Sequence, residues 1–383
     1  MRLIISAGDP SGDRLGADLL GALRKRGVSF EAAGIGGPRL RAEGLQAAAS
    51  MESVAVMGFA EILGHLPAIH RARRGIAELL EARADAIFLP IDAPGLNLGL
   101  ARLARRLGRS VVYYVCPQIW AWGRGRAARV REDVDLTLLL FRFEEATLAR
   151  ERITARWVGH PAGALVSDPG LREAARASLG VASQETLVAL LPGSRRAEVR
   201  RHLAPMLDGC ARFAAHAGGR VLAAVSDAGH VASAMESRDA REAWRLLRPL
   251  HWRGDAGDLL RAADLAVVAS GTATLETAAL GVPQVVVYRT GRVSYEIARR
   301  LVRVDMIGLA NLVVGKRAAP ELIQSEATGP RIAVEIAKLH TDAEARTGQL
   351  RAFAGLRDLL GGPGSAERAA EALIEFASAR KAR

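Results

Sequence analysis

The stretch Ala86-Ile87-Phe88-Leu89-Pro90-Ile91-Asp92-Ala93-Pro94-Gly95-Leu96-Asn97 decides the reading of this chain. Its apolar run lacks polar alternation, as expected of a strand buried on both faces in a parallel sheet. The run ends in a carboxylate and a stiff Ala-Pro turn, and an amphipathic segment, Leu98–Leu107, follows. Strand, loop and helix in that order form the unit of a doubly wound α/β fold, whose ligands bind at the carboxyl ends of the strands. Asp92 stands at such an end. Partial desolvation there raises a carboxyl pKa and makes the group a better proton acceptor near neutrality, so Asp92 is the first candidate for a general base. Capping of the next helix is its structural alternative.

The pattern repeats on either side. Leu3–Ser6, Phe30–Gly34, Val111–Cys116 and Leu136–Phe141 read as further strands, with helix-like segments such as Arg14–Arg26 between them. A second series follows at Thr186–Leu191, Arg220–Val225, Asp264–Ala269 and Gln284–Tyr288. Two such series predict two doubly wound, Rossmann-like domains rather than one long sheet. A length of 383 residues suits two or three domains at roughly 100–200 residues each. The breakers between Gly159-His160-Pro161 and Asp168-Pro169-Gly170 place the boundary, giving domains 1–163 and 164–345. Gly361-Gly362-Pro363-Gly364 stops one helix, and Ser365 reads as the N-cap of a last one.

Half the chain is hydrophobic, which excludes wholesale disorder. No apolar run reaches the roughly 18 residues of a spanning helix. Met1-Arg2-Leu3-Ile4-Ile5-Ser6 turns glycine-rich too soon for a signal peptide and reads as a first strand, so the cytoplasm is the expected location. Cys116 and Cys210 lie far apart, which argues against a disulfide scaffold or a cysteine metal site. The eight histidines show no ligand spacing, so no metal is expected. The net charge is +12, and lysine occurs only at 25, 316, 338 and 381, so arginine supplies nearly all the positive charge. Base composition explains such a skew. So does attraction to phosphorylated substrates, an anionic membrane or nucleic acid.

The loops after the strands carry the candidate chemistry. Ala7-Gly8-Asp9-Pro10-Ser11-Gly12-Asp13 brings two carboxylates to a strand end, with Asp9 a second catalytic candidate; a tight turn with Asp13 as N-cap is the alternative. Gly34-Ile35-Gly36-Gly37-Pro38-Arg39 fails the dinucleotide fingerprint, because Arg39 replaces the last glycine and Pro38 interrupts it. No Walker A sequence occurs. Leu191-Pro192-Gly193-Ser194-Arg195 offers a glycine turn, free N–H groups and Ser194 to a phosphate, with Arg195 placed to neutralise a diphosphate. Ser270-Gly271-Thr272-Ala273-Thr274-Leu275-Glu276 repeats that plan, with Glu276 one turn in to accept from ribose hydroxyls. Two such loops in one domain point to nucleotide-diphosphate binding, with ordinary capped turns as the structural alternative.

Trp120-Ala121-Trp122, flanked by arginines, suits stacking on a sugar or base, a membrane surface, or packing. Val56, Phe59, Ala60, Leu63 and Leu66 keep helical spacing ahead of Arg71, Arg73 and Arg74, as in an interfacial helix or a core helix. Asp133-Val134-Asp135 is formally a D-x-D but reads as solvated charge at a helix end.

The run of Ala7-Gly8-Asp9-Pro10-Ser11-Gly12-Asp13, Gly36-Gly37-Pro38-Arg39, Val56-Met57-Gly58, Ile91-Asp92-Ala93-Pro94, Trp120-Ala121-Trp122, Val158-Gly159-His160-Pro161, Leu191-Pro192-Gly193-Ser194-Arg195, Ser270-Gly271-Thr272-Ala273-Thr274-Leu275-Glu276 and Pro320-Glu321-Leu322-Ile323-Gln324 resembles the lipid-A-disaccharide synthase family. The resemblance implies a GT-B glycosyltransferase: two Rossmann-like domains facing a cleft, with the C-terminal helix (365–383) crossing back to complete the first. It implies an inverting transfer from UDP-2,3-diacylglucosamine to 2,3-diacylglucosamine 1-phosphate, releasing UDP without a cofactor or metal. By position it makes Asp92 the base for the acceptor hydroxyl and places Arg195, Gly271, Thr272, Glu276 and Asn311 on the UDP side. It also implies peripheral contact with the inner face of the cytoplasmic membrane, no nucleic-acid partner, and a homodimer formed by exchange of C-terminal segments. This chain departs from the family pattern at Asp9 (usually Glu), at Gly95 and Leu96 (usually Asp and Phe) and at Arg142 (usually Pro). These departures leave a related UDP-sugar transferase or epimerase with another acceptor as the alternative. A non-catalytic binder of nucleic acid or lipid fits less well, because the arginines are spread along the whole chain.

Overall fold

The structure, a computed structural model, describes residues 1–51, 59–119, 124–291, 295–296 and 305–381. The chain forms two compact units, one built on Met1–Pro161 and Leu360–Arg383, the other on Ala162–Tyr295 and Val304–Leu359.

The first unit carries β1 (Arg2–Ala7), β2 (Glu31–Gly36), β3 (Gln46–Ser50), β4 (Ile87–Ile91), β5 (Ser110–Tyr114), β6 (Leu136–Leu139) and β7 (Ala155–Trp157). They form one sheet in the order β3-β2-β1-β4-β5-β6-β7, every pair parallel. The second unit carries β8 (Thr186–Leu191), β9 (Val221–Ser226), β10 (Leu250–Trp252), β11 (Leu265–Ala269), β12 (Gln284–Tyr288) and β13 (Glu321–Ile323), ordered β10-β9-β8-β11-β12-β13 and again all parallel. Both orders reverse direction beside the unit's first strand, as in a doubly wound fold. The expected α/β class with two Rossmann-like parallel sheets is what the chain adopts.

The second sheet shows why its strands lack polar alternation. Val188, Leu190, Val267 and Ala269 belong to one buried cluster, with Leu203, Met206 and Leu207 of the helix Arg196–Ala214. Leu187, Ala189, Leu191, Ala266 and Val268 belong to a second, with Leu259 and Leu260 of the helix Ala256–Ala262. Successive side chains point to opposite faces, so both sets must be apolar when both faces are covered.

Two differences from expectation concern carboxylates. The helix after β1 begins at Pro10, and Asp9 is its N-cap, accepting from the Gly12 N–H at 2.8 Å. Asp13 instead accepts from the N–H groups of Gly37, Arg39 and Leu40, so it ties the first helix to the loop after β2. Asp133 and Asp135 are not solvated charges. Asp133 is buried, and Asp135 accepts from the Val111 N–H at 2.8 Å and pairs with Arg105, which clips the entries of β5 and β6 together.

The C-terminal helix Ser365–Lys381 packs on the helix Pro10–Lys25. Its Arg368 donates to the Val158 and Gly361 carbonyls, and Arg156 on β7 pairs with its Glu375. The chain therefore returns to the unit in which it began.

Candidate functional site

In the first unit, β1 and β4 are neighbours at the point where strand order reverses. Ala7 pairs with Ile91, so Gly8 and Asp92 leave the sheet side by side. The approach is close enough that a Cβ on Gly8 would sit 2.7 Å from Ala93 Cβ, so glycine is required there. Asp92 and Ala93 both adopt left-handed backbone, with φ of 47° and 44°. Such conformations cost on the order of 1–3 kcal/mol each and persist only where surroundings over-determine them.

Those surroundings are visible. The Asp92 N–H donates to Tyr114 O at 2.9 Å, and the Asp92 carbonyl accepts from Tyr113 Oη at 2.7 Å and Asn97 Nδ2 at 2.8 Å. Burial raises the Tyr113 hydroxyl well above its ordinary pKa, so it stays a protonated donor. Asn97 has no exposed surface and also joins Ser6 and Ile91, locking β1 to β4 below the site. Asp92 itself is half-buried, and Asp9 lies across the same strand ends with one oxygen committed to its capping bond. Arg126, on the helix Arg124–Asp133, donates to the Pro117 carbonyl at 2.9 Å and interacts electrostatically with Asp92.

In the second unit, the loops after β8 and β11 emerge at the equivalent reversal. Leu191 pairs with Val268, which brings Gly193 and Ser270 to the same level of the sheet. Gly193 has φ 121°, and a Cβ there would meet the Glu198 carboxylate at 2.6 Å. Glu198 was not anticipated from the sequence. Its Oε2 accepts from the Ser194 N–H at 3.1 Å and its Oε1 from Arg195 Nη1 at 3.0 Å. One of the N–H groups expected to meet a phosphate is thus held by a carboxylate, and the same carboxylate orients the guanidinium. The Arg195-x-x-Glu198 spacing, adjacent on a helix start, was the legible signal.

His202 stabilises this loop from below. Its Nδ1 lies 2.9 Å from Pro192 O, and its Nε2 accepts from the Arg289 N–H at 2.8 Å. The two contacts fix the neutral tautomer and tie the end of β8 to the end of β12. In the other loop Ser270 Oγ donates to Ile307 O at 2.7 Å, while a Cβ on Gly271 would meet open space. Thr272, Ala273 and Glu276 are half-buried along the first turns of the helix Thr272–Ala279.

Asn311 is placed differently from a ligand contact. It is fully buried; Nδ2 donates to Ala319 O and Glu321 Oε1, and Oδ1 accepts from the Ala318 and Ala319 N–H groups. These four bonds fill the capacity of an amide side chain. Asn311 therefore shapes the β12–β13 connection from within.

The departures are also located. Arg142 lies over the Trp157 ring at 5.0 Å, and a Cβ on Gly95 would meet nothing. Val56-Met57-Gly58 and Trp120-Ala121-Trp122 lie outside the described residues, as do the side chains of Phe59, Ala60 and Leu63; Leu66 is exposed. Among the described residues, no group of three His, Cys, Asp or Glu side chains could hold a metal, and no helix is long and apolar enough to cross a membrane.

The family profile described as lipid-A-disaccharide synthetase matches residues 3–360. The chain is 37% identical over 379 residues to a lipid-A-disaccharide synthase of Myxococcus xanthus, covering 98% of this chain and 97% of that one. It is 38% identical over 382 residues to one of Pseudomonas aeruginosa, covering 99% of both. Among solved structures it is similar to a putative UDP-N-acetylglucosamine 2-epimerase of Listeria monocytogenes, with TM-score 0.62 and 13% identity over 95% of this chain and 93% of that one. It is also similar to Anabaena HepE, solved with UDP and glucose, with TM-score 0.56 and 13% identity over 98% and 99%. At such identities the structural likeness speaks for the fold alone.

Proposed function

The chain belongs to the lipid-A-disaccharide synthetase family, and from that premise we propose that it joins two acylated glucosamines by a single inverting displacement at its two strand-reversal sites. The donor is UDP-2,3-diacylglucosamine and the acceptor is 2,3-diacylglucosamine 1-phosphate. The Asp92 carboxylate takes the proton of the acceptor's 6-hydroxyl as that oxygen attacks the donor's anomeric carbon. The bond from that carbon to the diphosphate oxygen breaks, and UDP leaves. A positioned base of this kind contributes on the order of 10²–10⁴-fold.

The observation that carries this reading is the Asp92 backbone, held in left-handed conformation by Tyr113, Tyr114 and Asn97 at a strand reversal. Strain kept at a ligand-binding position by three separate bonds is a mark of a pre-organised site. The loops Gly193-Ser194-Arg195 and Ser270-Gly271-Thr272-Ala273 suit the UDP diphosphate, with Glu276 placed for the ribose. Arg195 has five N–H donors, so its pairing with Glu198 leaves capacity for a phosphate. Glu198 and Asn311 are positioning residues in this scheme, and Asp9 holds the start of the first helix against the acceptor side.

Both substrates carry acyl chains, and Arg71, Arg73 and Arg74 are exposed on one helix of a chain of net charge +12. These features support peripheral contact with an anionic membrane on its cytoplasmic face. The test of the reaction is direct. Pure protein with both acylated substrates releases UDP and a disaccharide 1-phosphate, seen by mass spectrometry. UDP release at the no-enzyme background rejects the reading.

A further inference from the structure

A cavity of about 520 Å³ opens in the first unit, lined by Arg73, Pro94, Gly95, Leu98, Gly99, Gly125, Arg126 and Arg129. Three of these are arginines and none is acidic. Arg73 comes from the helix Phe59–Ala82, Arg126 and Arg129 come from the helix Arg124–Asp133, and Pro94 and Gly95 open the helix Pro94–Arg106. Arg73 and Arg129 are exposed, while Arg126 is half-buried. Two separate helices thus bring like charges to one concave wall, and the start of a third closes it. Like charges brought together cost free energy unless an anion shares them.

The cavity is bound to the base by covalent geometry. Asp92 and Gly95 are three residues apart, so their Cα atoms lie within about 11 Å even in the most extended chain. Arg126 interacts electrostatically with both Asp92 and Arg129. Leu98 and Pro94 supply an apolar side, Gly95 leaves open space, and the lack of a side chain at Gly99 admits the Arg73 guanidinium, whose Nη2 lies 2.6 Å from where a Cβ would stand. The shape and charge fit a small phosphorylated sugar. A dianionic phosphomonoester with three acceptor oxygens matches several guanidinium forks better than a diester does.

We propose that this cavity is the phosphate subsite of the acceptor: Arg73, Arg126 and Arg129 hold a phosphomonoester on the sugar's anomeric carbon while the same sugar presents its primary hydroxyl to Asp92. The proposal rests on the reaction given above and names the part of the chain that selects the acceptor. The loops proposed for UDP belong to the other unit, and changes in the cavity are expected to act on the acceptor alone.

Kinetics of the full chain test it. The double variant Arg73→Ser/Arg129→Ser removes two exposed side chains, a change the fold tolerates. In detergent micelles its KM for 2,3-diacylglucosamine 1-phosphate is expected to rise at least tenfold, with donor KM and calorimetric UDP affinity unchanged. Arg126→Lys keeps the charge but loses the planar fork, and is expected to raise acceptor KM as well. An unchanged acceptor KM in the double variant overturns the proposal, and so does an equal rise in donor KM. A rise seen only on phosphatidylglycerol vesicles and not in micelles assigns the arginines to a lipid surface and also overturns it. Glucosamine 1-phosphate binding, read by calorimetry, separates the cavity from the reaction. In a chain that releases no UDP, binding that the double variant lacks sustains the cavity and rejects the reaction; absence of that binding rejects both.

Discussion

Asn97 donates its side-chain Nδ2 to the carbonyl of Asp92 at 2.8 Å from a position with no exposed surface. The same amide reaches Ser6 on β1, so β1 and β4 share one buried clip. The backbone that carries the Asp92 carboxylate is held by Asn97, Tyr113 and Tyr114.

Removing that clip is therefore expected to cost both stability and turnover. Asn97→Ala leaves the Ser6 hydroxyl and the Asp92 carbonyl short of partners in a buried place. The expected destabilisation is about 2–4 kcal/mol, read by urea unfolding. The folded fraction is expected to show a lower kcat with UDP affinity intact. A variant of wild-type kcat would show that Tyr113 and Tyr114 hold Asp92 unaided.

Asp92→Asn keeps size and polarity but cannot accept the hydroxyl proton. Turnover is expected to fall by about 10²–10⁴-fold or more, with calorimetric UDP binding unchanged. Retained activity in Asp92→Asn would remove it as the base and direct attention to Asp9.

Arg195 and Glu198 form one unit, 24% and 14% exposed at their side chains. If Arg195 bonds the diphosphate as proposed, Arg195→Ala is expected to weaken UDP by about 1.5–3 kcal/mol, roughly 10–150-fold. Glu198→Gln keeps an acceptor for the Ser194 N–H while releasing the guanidinium from its counter-charge. If Glu198 only positions Arg195, Glu198→Gln weakens UDP less than Arg195→Ala does, and the double variant is no worse than Arg195→Ala. Additive losses would instead mean that Glu198 meets the nucleotide itself.

How much of this was readable beforehand follows from burial. The central strands β1, β4, β5, β8, β11 and β12 are apolar runs covered on both faces, which leaves an unmistakable sequence pattern. The strands missed are β3, β7, β10 and β13, which stand at or next to sheet edges. β3 is Gln-Ala-Ala-Ala-Ser, alanine-rich and mostly exposed, and the other three span three residues each. Pairing with a neighbour, not local preference, makes them strands. The place of Asp92 just beyond β4 is legible because a carboxylate closing an apolar strand is anomalous. For Asp13 the sequence offers a cleft carboxylate or a cap of its own helix, and its bonds to the Gly37, Arg39 and Leu40 N–H groups arise from packing that no local pattern specifies. The packing of Asn311 against Ala319 and Glu321 depends on a turn that no local pattern specifies.

His160 is buried and stacks on Phe141 at 5.6 Å, and burial, aided by the Arg14 charge, holds its pKa down to about 3. His202 is shifted in the same direction by burial, with Glu198 and Arg201 facing it. In the unfolded chain both regain a pKa near 6.5. Below about pH 6.5 the unfolded state therefore binds protons that the native state refuses, and stability falls as pH falls. His160 contributes a slope of about 1.4 kcal/mol per pH unit between about 6.5 and about 3 and none above that window, and His202 acts in the same direction. Urea unfolding of the full chain at pH 7.5, 6.0 and 5.0 reads this slope. His160→Phe fills the stacked position without a titrating group, so its slope is expected to be shallower by about 1.4 kcal/mol per unit, whatever its stability at pH 7.5. A His160→Phe chain with the wild-type slope would show that the acid sensitivity belongs to other groups.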